Sequence, residues 1–293
     1  MTGRRYEEVH YPSADNRLRL FARDYPSIGG GSESVPLLMM HGLTRNSADF
    51  EPLIDALAPH QRLIVPDQRG RGKSDYDPVA NNYQPSVYVE DMWALLGHLG
   101  LDEVICIGTS MGGLMTMMMG ALEPGRIRAI VLNDIGPHVS EKGLDRIRSY
   151  VGPSDPMADW RAAADRCKSI MSEAFEGFEA ADWLGFAQRV CEELSDGTVR
   201  FAYDPAISKG MAKEDTSAVP PDLWPMWDSL SEHPILAIRG AKSDILVAET
   251  MTEMARRHPE NFASVEVPGR GHAPILDEPE AVSAIRSFLS EYG

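Results

Sequence analysis

The chain has 293 residues and a formal net charge of −16, with 43% hydrophobic and 25% charged residues. This acidic balance argues against nucleic acid and anionic membrane surfaces as partners. No apolar run approaches the roughly 18 residues of a membrane span, and the N-terminal residues lack the apolar stretch of a secretory signal. The three widely spaced cysteines indicate neither a disulfide framework nor a metal site. We therefore expect a cytoplasmic protein.

Apolar runs alternate with helix-compatible segments along most of the chain. Strands are predicted at 6–11, 17–24, 36–40, 62–67, 104–107, 127–133, 234–239 and 262–267. Helices are predicted at 47–58, 86–99, 113–119, 248–257 and 278–290, and a glycine-rich turn at 27–32. Such alternation predicts an α/β protein with a mostly parallel central sheet flanked by helices.

The alternation is interrupted between about Pro137 and Glu232, a stretch that holds four of the five tryptophans and several helix-like segments. The simplest interpretation is one core domain formed by residues 1–136 and 233–293, with a mainly helical cap inserted at 137–232. The tryptophans of this insertion either line an apolar site or form a small core of the cap itself.

The segment from Gly108 to Gly112, with Ser110 at its centre, follows the β-branched run Val104–Ile107 and precedes a helical segment. A serine with glycines two residues away on either side is typical of a tight strand-to-helix turn that exposes a nucleophile. The glycines avoid collisions that side chains would cause in this turn. We therefore predict Ser110 as the nucleophile.

A serine hydroxyl needs a base within hydrogen-bonding reach. Of eight histidines, His272 follows a predicted strand and a glycine-rich loop, which places it at the same sheet edge as Ser110. The base needs an acid to orient it. Asp244, just past the preceding strand, is the first choice, and Asp134, after the strand that ends at Asn133, is the alternative.

Two backbone amides are needed to bind a developing oxyanion. The amide of Met111 directly follows the predicted nucleophile, and the amide of Leu43 lies in the loop after the strand 36–40. These two amides are the predicted oxyanion hole. His41, in the same loop, is interpreted as a structural residue that braces the loop.

With these residues assembled, the chain resembles the α/β-hydrolase fold superfamily along nearly its whole length. The motifs that carry the resemblance are His41-Gly42-Leu43, the segment Asp67–Ser74, the segment Gly108–Gly113, Asp244 and Gly271-His272. The resemblance implies a nucleophile after strand five, an acid commonly after strand seven, a histidine after strand eight and a cap after strand six. It also implies that the Asp67–Ser74 loop is mainly structural. We expect its Arg71 and Lys73 to be solvated, and the alternative is that they attract an anionic substrate.

A serine nucleophile favours a hydrolase that cleaves carboxylic esters of small or medium apolar substrates through an acyl-enzyme. Neither a metal nor an organic cofactor is implied, and the expected partner is a small-molecule substrate. Alternative interpretations are a carbon–carbon bond hydrolase or lactonase of the aromatic-degradation type, and a ligand receptor built on the same fold.

Overall fold

An eight-stranded sheet forms the centre of the protein, for which a computed structural model describes residues 6–27, 34–57, 61–211 and 222–293. The turn predicted at 27–32, apart from Ser27, and the predicted last residue of the first helix, Ala58, lie outside the described residues. No described helix combines the length and the hydrophobicity that crossing a bilayer requires.

The strands of the sheet are β1 (Glu7–Pro12), β2 (Arg19–Tyr25), β3 (Leu37–Met40), β4 (Leu63–Asp67), β5 (Val104–Thr109), β6 (Ile127–Asn133), β9 (Ile235–Gly240) and β10 (Phe262–Val267). Their order across the sheet is β1-β2-β4-β3-β5-β6-β9-β10. The pairs β1·β2 and β2·β4 are antiparallel, and all other neighbours are parallel. The predicted mostly parallel α/β sheet is confirmed.

Helices cover both faces of this sheet. They are α1 (Glu51–Leu57), α2 (Pro85–Leu99), α3 (Met111–Leu122), α8 (Ala248–Arg257) and α9 (Pro279–Tyr292), and a 3₁₀ turn at Ser47–Phe50 precedes α1. Side chains alternate along β3, so Leu37 and Met39 pack in the apolar cluster with α1 and α9. Leu38 and Met40 pack in the cluster on the opposite face, with α2 and α3.

The segment between β6 and β9 contains α4 (Glu141–Tyr150), α5 (Trp160–Met171), α6 (Ala180–Val190), a hairpin of β7 (Cys191–Glu193) and β8 (Val199–Phe201), and α7 (Trp224–Asp228). Trp183 belongs to an apolar cluster formed mostly by this segment, with Ile275 from the loop after β10. Trp227 packs instead into the cluster that covers the α2–α3 face of the sheet. The segment is therefore mainly helical, and its last helix is anchored on the sheet core.

Four parallel strands end at the same edge of the sheet. The last residues of β5 and β6, Thr109 and Asn133, are register partners, as are Gly240 of β9 and Val267 of β10. The residues that follow these strands are therefore neighbours in space. This edge receives Ser110, Asp134, and the loops that contain Asp244 and His272.

Candidate active site

Ser110 occupies the sharp turn between β5 and α3, with φ of 52° and ψ of −114°. Positive φ is uncommon for a residue with a side chain. A Cβ at Gly108 would collide with the backbone of Gly112, and a Cβ at Gly112 would collide with the carbonyl of Met40. The two glycines therefore allow the turn that the sequence motif predicted.

His272 lies next to this turn and is 6% exposed. Its Nε2 is 2.8 Å from the Ser110 Oγ, and its Nδ1 is 2.8 Å from the Asp134 Oδ2. Because a carboxylate accepts hydrogen bonds, Nδ1 carries the proton in a neutral imidazole and Nε2 accepts from the serine hydroxyl. This arrangement prepares the ring to take a proton from Ser110.

Asp134 is fully buried at the end of β6 and has a positive φ of 58°. Its Oδ1 accepts the amide hydrogen of Gly240 at 2.8 Å, and its Oδ2 accepts the hydroxyl hydrogen of Ser243 at 2.6 Å. With His272 as the third donor, the carboxylate has three hydrogen-bond partners, which offset the free-energy cost of its burial. The end of β9 and the loop after it thus hold the Asp134 carboxylate in place.

Asp244 does not contact the imidazole, so the first-choice prediction of it as the orienting acid is wrong in this geometry, and the alternative Asp134 occupies that place. The Arg146 guanidinium, on α4, donates to Asp244 from Nε at 2.5 Å and from Nη2 at 2.8 Å. Burial alone would raise the pKa of Asp244, but Arg146, and to a smaller extent His272, lower it below its usual value. A Cβ at Gly143 would collide with the Asp244 carbonyl, so this glycine allows α4 to approach closely.

Leu43 and Met111 flank Ser110, as the predicted oxyanion hole requires. Met111 is the first residue of α3, where an amide has no acceptor within the helix. Among the described residues, the Leu43 amide donates to no backbone or side-chain acceptor. Both residues line cavity space beside Ser110. Both residues thus lie beside Ser110, and their role as an oxyanion hole stays a prediction.

Arg71 is fully buried, which contradicts the expectation that it is solvated. Its Nε donates to the Leu43 carbonyl at 2.9 Å, and its Nη2 lies 3.7 Å from the Met111 Sδ. Its guanidinium also lies 4.7 Å from the centre of the Tyr88 ring. Arg71 thus contacts both residues of the predicted oxyanion hole. Lys73, by contrast, is half exposed and pairs with Glu8 at 2.7 Å.

His41 is buried beneath the same loop. Its Nδ1 donates to the Gly42 carbonyl at 2.7 Å, and its Nε2 accepts the amide hydrogen of Gln68 at 3.1 Å. Burial lowers the pKa of His41 to about 3, so the ring stays neutral near pH 7. His41 braces the loop and lies outside the Ser110–His272–Asp134 chain.

Two cavities meet at Ser110 and Leu43. The first, here called the His272 cavity, is lined by His272 and by Arg45, Asp49, Ile147, Tyr150, Ile170, Met171 and Phe186. The second, here called the Met111 cavity, is lined by Met111 and by Tyr83, Tyr88, Leu114, Ile135, Val139, Leu144 and Leu223. Side chains of the insertion line both cavities, and the Met111 cavity carries no formal charge among its described residues.

The part of the chain that the structure describes holds no group of three or more histidine, cysteine or carboxylate side chains suited to a metal ion. Cys106, Cys167 and Cys191 are free thiols and are buried. Burial raises the pKa of the Cys106 thiol well above its usual value, which suits an inert residue of strand β5.

Sequence reasoning missed three residues that belong to the site: Arg45, Arg71 and Ser243. Ser243 and Asp244 are adjacent in the sequence, so the predicted loop was correct although the predicted side chain was not. Arg71 lies within the glycine-rich motif after β4, and its contact with the Leu43 carbonyl is a tertiary contact without a local sequence signal. For Arg45 the sequence offers only its nearness to His41.

The family model described as "alpha/beta hydrolase fold" matches residues 35–279. A 3-hydroxybutyrate-oligomer hydrolase from Cupriavidus necator is 32% identical over 271 residues, which cover 91% of this chain and 92% of the relative. A 2-(acetamidomethylene)succinate hydrolase from Mesorhizobium japonicum is 27% identical over 254 residues, covering 86% of this chain and 87% of the relative.

Solved structures agree with these matches. A crystal structure of an alpha/beta hydrolase from Novosphingobium aromaticivorans superimposes with a TM-score of 0.90 at 41% sequence identity, covering 98% of both chains. A structure of E-2-(acetamidomethylene)succinate hydrolase superimposes with a TM-score of 0.79 at 25% identity, covering 97% of this chain and all of that chain.

Proposed function

The chain belongs to the alpha/beta hydrolase fold family, and from that premise we propose that it is a serine hydrolase cleaving carboxylic esters of small or medium apolar size. The observation that carries the proposal is the continuous hydrogen-bond chain from Ser110 through His272 to Asp134. In this proposal residues 1–136 and 233–293 form the catalytic core, and residues 137–232 act as a cap over the site.

The first half of the reaction forms an acyl-enzyme. His272 takes the hydroxyl proton at Nε2 while the Ser110 Oγ attacks the ester carbonyl. The buried carboxylate of Asp134 stabilises the imidazolium that forms. The amides of Leu43 and Met111 bind the oxyanion, and His272 then gives its proton to the departing alcohol oxygen.

The second half releases the acid. His272 takes a proton from a water molecule, and the resulting nucleophile attacks the acyl carbonyl held on Ser110. The second tetrahedral intermediate uses the same two amides, and His272 returns the proton to the serine oxygen. The enzyme thus ends in its starting protonation state without a metal or an organic cofactor.

The relative from Cupriavidus necator supports ester chemistry, because the units of a hydroxy-acid oligomer are joined by ester bonds. The largely apolar Met111 cavity suits a hydrocarbon acyl chain.

The test is labelling with a fluorophosphonate followed by peptide mass spectrometry, alongside hydrolysis of p-nitrophenyl esters and lactones. We expect the label on Ser110, and we expect Ser110→Ala to abolish hydrolysis without changing the thermal unfolding midpoint. Ser169→Ala, at an exposed serine of α5, is the matched control and should behave as the wild type. Label on another serine, or turnover that survives Ser110→Ala, would overturn the proposal. Labelling of Ser110 without turnover of any ester would favour the receptor interpretation.

A further inference from the structure

Arg45 lies in the loop after β3, lines the His272 cavity and has a side chain that is 13% exposed. Its guanidinium is held from two sides. Nη1 donates to the Asp49 Oδ1 at 2.9 Å, and the guanidinium carbon lies 4.3 Å from the centre of the Phe186 ring. These contacts fix the position of a cation that the proposed reaction does not use.

Most of the hydrogen-bonding capacity of Arg45 is uncommitted. A guanidinium carries five N–H donors, and within the described residues the bond to Asp49 is the only hydrogen bond that this one donates. The remaining nitrogen atoms are not sealed off by protein. A Cβ at Gly42 would lie 3.7 Å from the Arg45 Cγ and 3.8 Å from the Ser110 Cβ. The Arg45 side chain therefore begins close to Ser110, on the other side of Gly42 in the sequence from β3.

The position of His272 decides which half of an ester faces Arg45. The departing alcohol oxygen must lie within reach of the imidazole Nε2, which protonates it. His272 and Arg45 line the same cavity, whereas Met111, whose amide faces the oxyanion, lines the other one. The alcohol half of the ester therefore occupies the His272 cavity, and the acyl half occupies the Met111 cavity.

Resting on the proposed function, we infer that Arg45 binds a carbonyl or carboxylate oxygen carried by the alcohol half of the substrate. The substrate class is then an ester whose alcohol is a hydroxy acid or a hydroxy ester. Arg45 is the one arginine or lysine among the described residues that line this cavity. Asp49 offsets its charge, so a neutral carbonyl is accepted as well as a carboxylate.

The experiment compares three butanoate esters that differ in the alcohol half alone. Their alcohols are methyl 3-hydroxybutanoate, 3-hydroxybutanoic acid and hexan-2-ol, the last of which replaces the polar atoms by hydrocarbon at equal chain length. In the wild type we expect kcat/KM for both oxygen-bearing esters to exceed that for the hexan-2-yl ester by roughly 10- to 100-fold, the range for hydrogen bonds to a charged group.

Two variants test whether the preference for the oxygen-bearing esters depends on Arg45 and its partner Asp49. Arg45→Met should lower kcat/KM for the two oxygen-bearing esters by more than for the hexan-2-yl ester, so that the preference is lost. Asp49→Asn removes the offsetting charge, so it should raise the rate for the carboxylate ester relative to the methyl ester. Arg189→Met is the matched control, because that guanidinium lies 5.9 Å from the same Phe186 ring but does not line the cavity. It should keep the wild-type preference.

Equal rates for all three esters in the wild type, or an equal loss for all three in Arg45→Met, would overturn the inference. If Arg45→Met fails to fold, the ratio of the two oxygen-bearing esters in Asp49→Asn decides, and an unchanged ratio is a negative result. Failure of the proposed function gives a different result, because Ser110 would then not be labelled by the fluorophosphonate and none of the three esters would be hydrolysed.

Discussion

The loops that follow β6 and β9 both leave parallel strands at the same sheet edge, and both carry an aspartate there. Asp134, after β6, is fully buried and accepts hydrogen bonds from His272, Ser243 and the Gly240 amide. Asp244, after β9, has a side chain that is 25% exposed and pairs with Arg146. One aspartate faces the imidazole, and the other joins the inserted segment to the sheet.

The difference between the two loops shows that a position at the strand end does not by itself assign a role. The loop after β9 contributes to the site through its backbone and a hydroxyl, since Gly240 and Ser243 hold the carboxylate of Asp134. The carboxylate of this loop, Asp244, instead accepts two hydrogen bonds from Arg146, on helix α4 of the insertion. The two loops thus cooperate around a single acid.

Of the changes that test this comparison, we expect Asp134→Asn to have the largest effect, which is a loss of turnover. An amide in place of the carboxylate favours the wrong imidazole tautomer, and we expect kcat to fall by about 10³- to 10⁴-fold. The measurement is steady-state hydrolysis of one ester substrate by purified variants with matched circular dichroism spectra.

Asp244→Asn is the matched control, because it makes the same chemical change in the neighbouring loop. We expect it to keep kcat within about threefold of the wild type, since the Asp244 carboxylate pairs with Arg146 whereas Asp134 holds the imidazole. If Asp244→Asn is the nearly inactive enzyme and Asp134→Asn is not, the comparison of the loops is reversed and our assignment is wrong.

A smaller effect concerns stability and pH. Because the pKa of Asp244 is lower in the folded protein, its ion pair stabilises the fold above the unfolded-state value of about 4. This stabilisation is lost as the pH falls through the folded-state pKa. We expect Asp244→Asn to lower the free energy of unfolding at pH 7 by about 0.5–1 kcal/mol.

Urea unfolding of wild type and Asp244→Asn across acidic pH measures this effect. The difference between the two should shrink once the pH falls below about 4, the usual aspartate value. Arg146→Met should give a similar loss at pH 7, and the double variant should cost little more than either single change. A difference that stays constant down to the lowest accessible pH would show that the ion pair is not its source.

The sequence predicts the sheet well because each strand has a local apolar signature. The predicted strands at 127–133 and 262–267 match β6 and β10 residue for residue. The helix at 248–257 matches α8 in the same way. In the insertion, local signals indicate helices but not the hairpin of β7 and β8, whose strands have three residues each.

The site is predictable in part. Ser110 and His272 follow from glycine patterns and strand order, and the structure brings their side chains to 2.8 Å of each other. The choice between Asp134 and Asp244 depends on the left-handed backbone of Asp134 and on where α4 packs. Both are tertiary properties with no local sequence signal. The burial of Arg71 likewise depends on contacts with Leu43 and Met111.

The most direct test of the central claim is the proton NMR signal of the His272 Nδ1–H. Because this proton is donated to a buried carboxylate at 2.8 Å, we expect a strongly deshielded resonance in the wild type. We expect the resonance to persist in Asp244→Asn and to disappear or move far upfield in Asp134→Asn. A resonance that survives in Asp134→Asn and is lost in Asp244→Asn would contradict the assignment of Asp134 as the orienting acid.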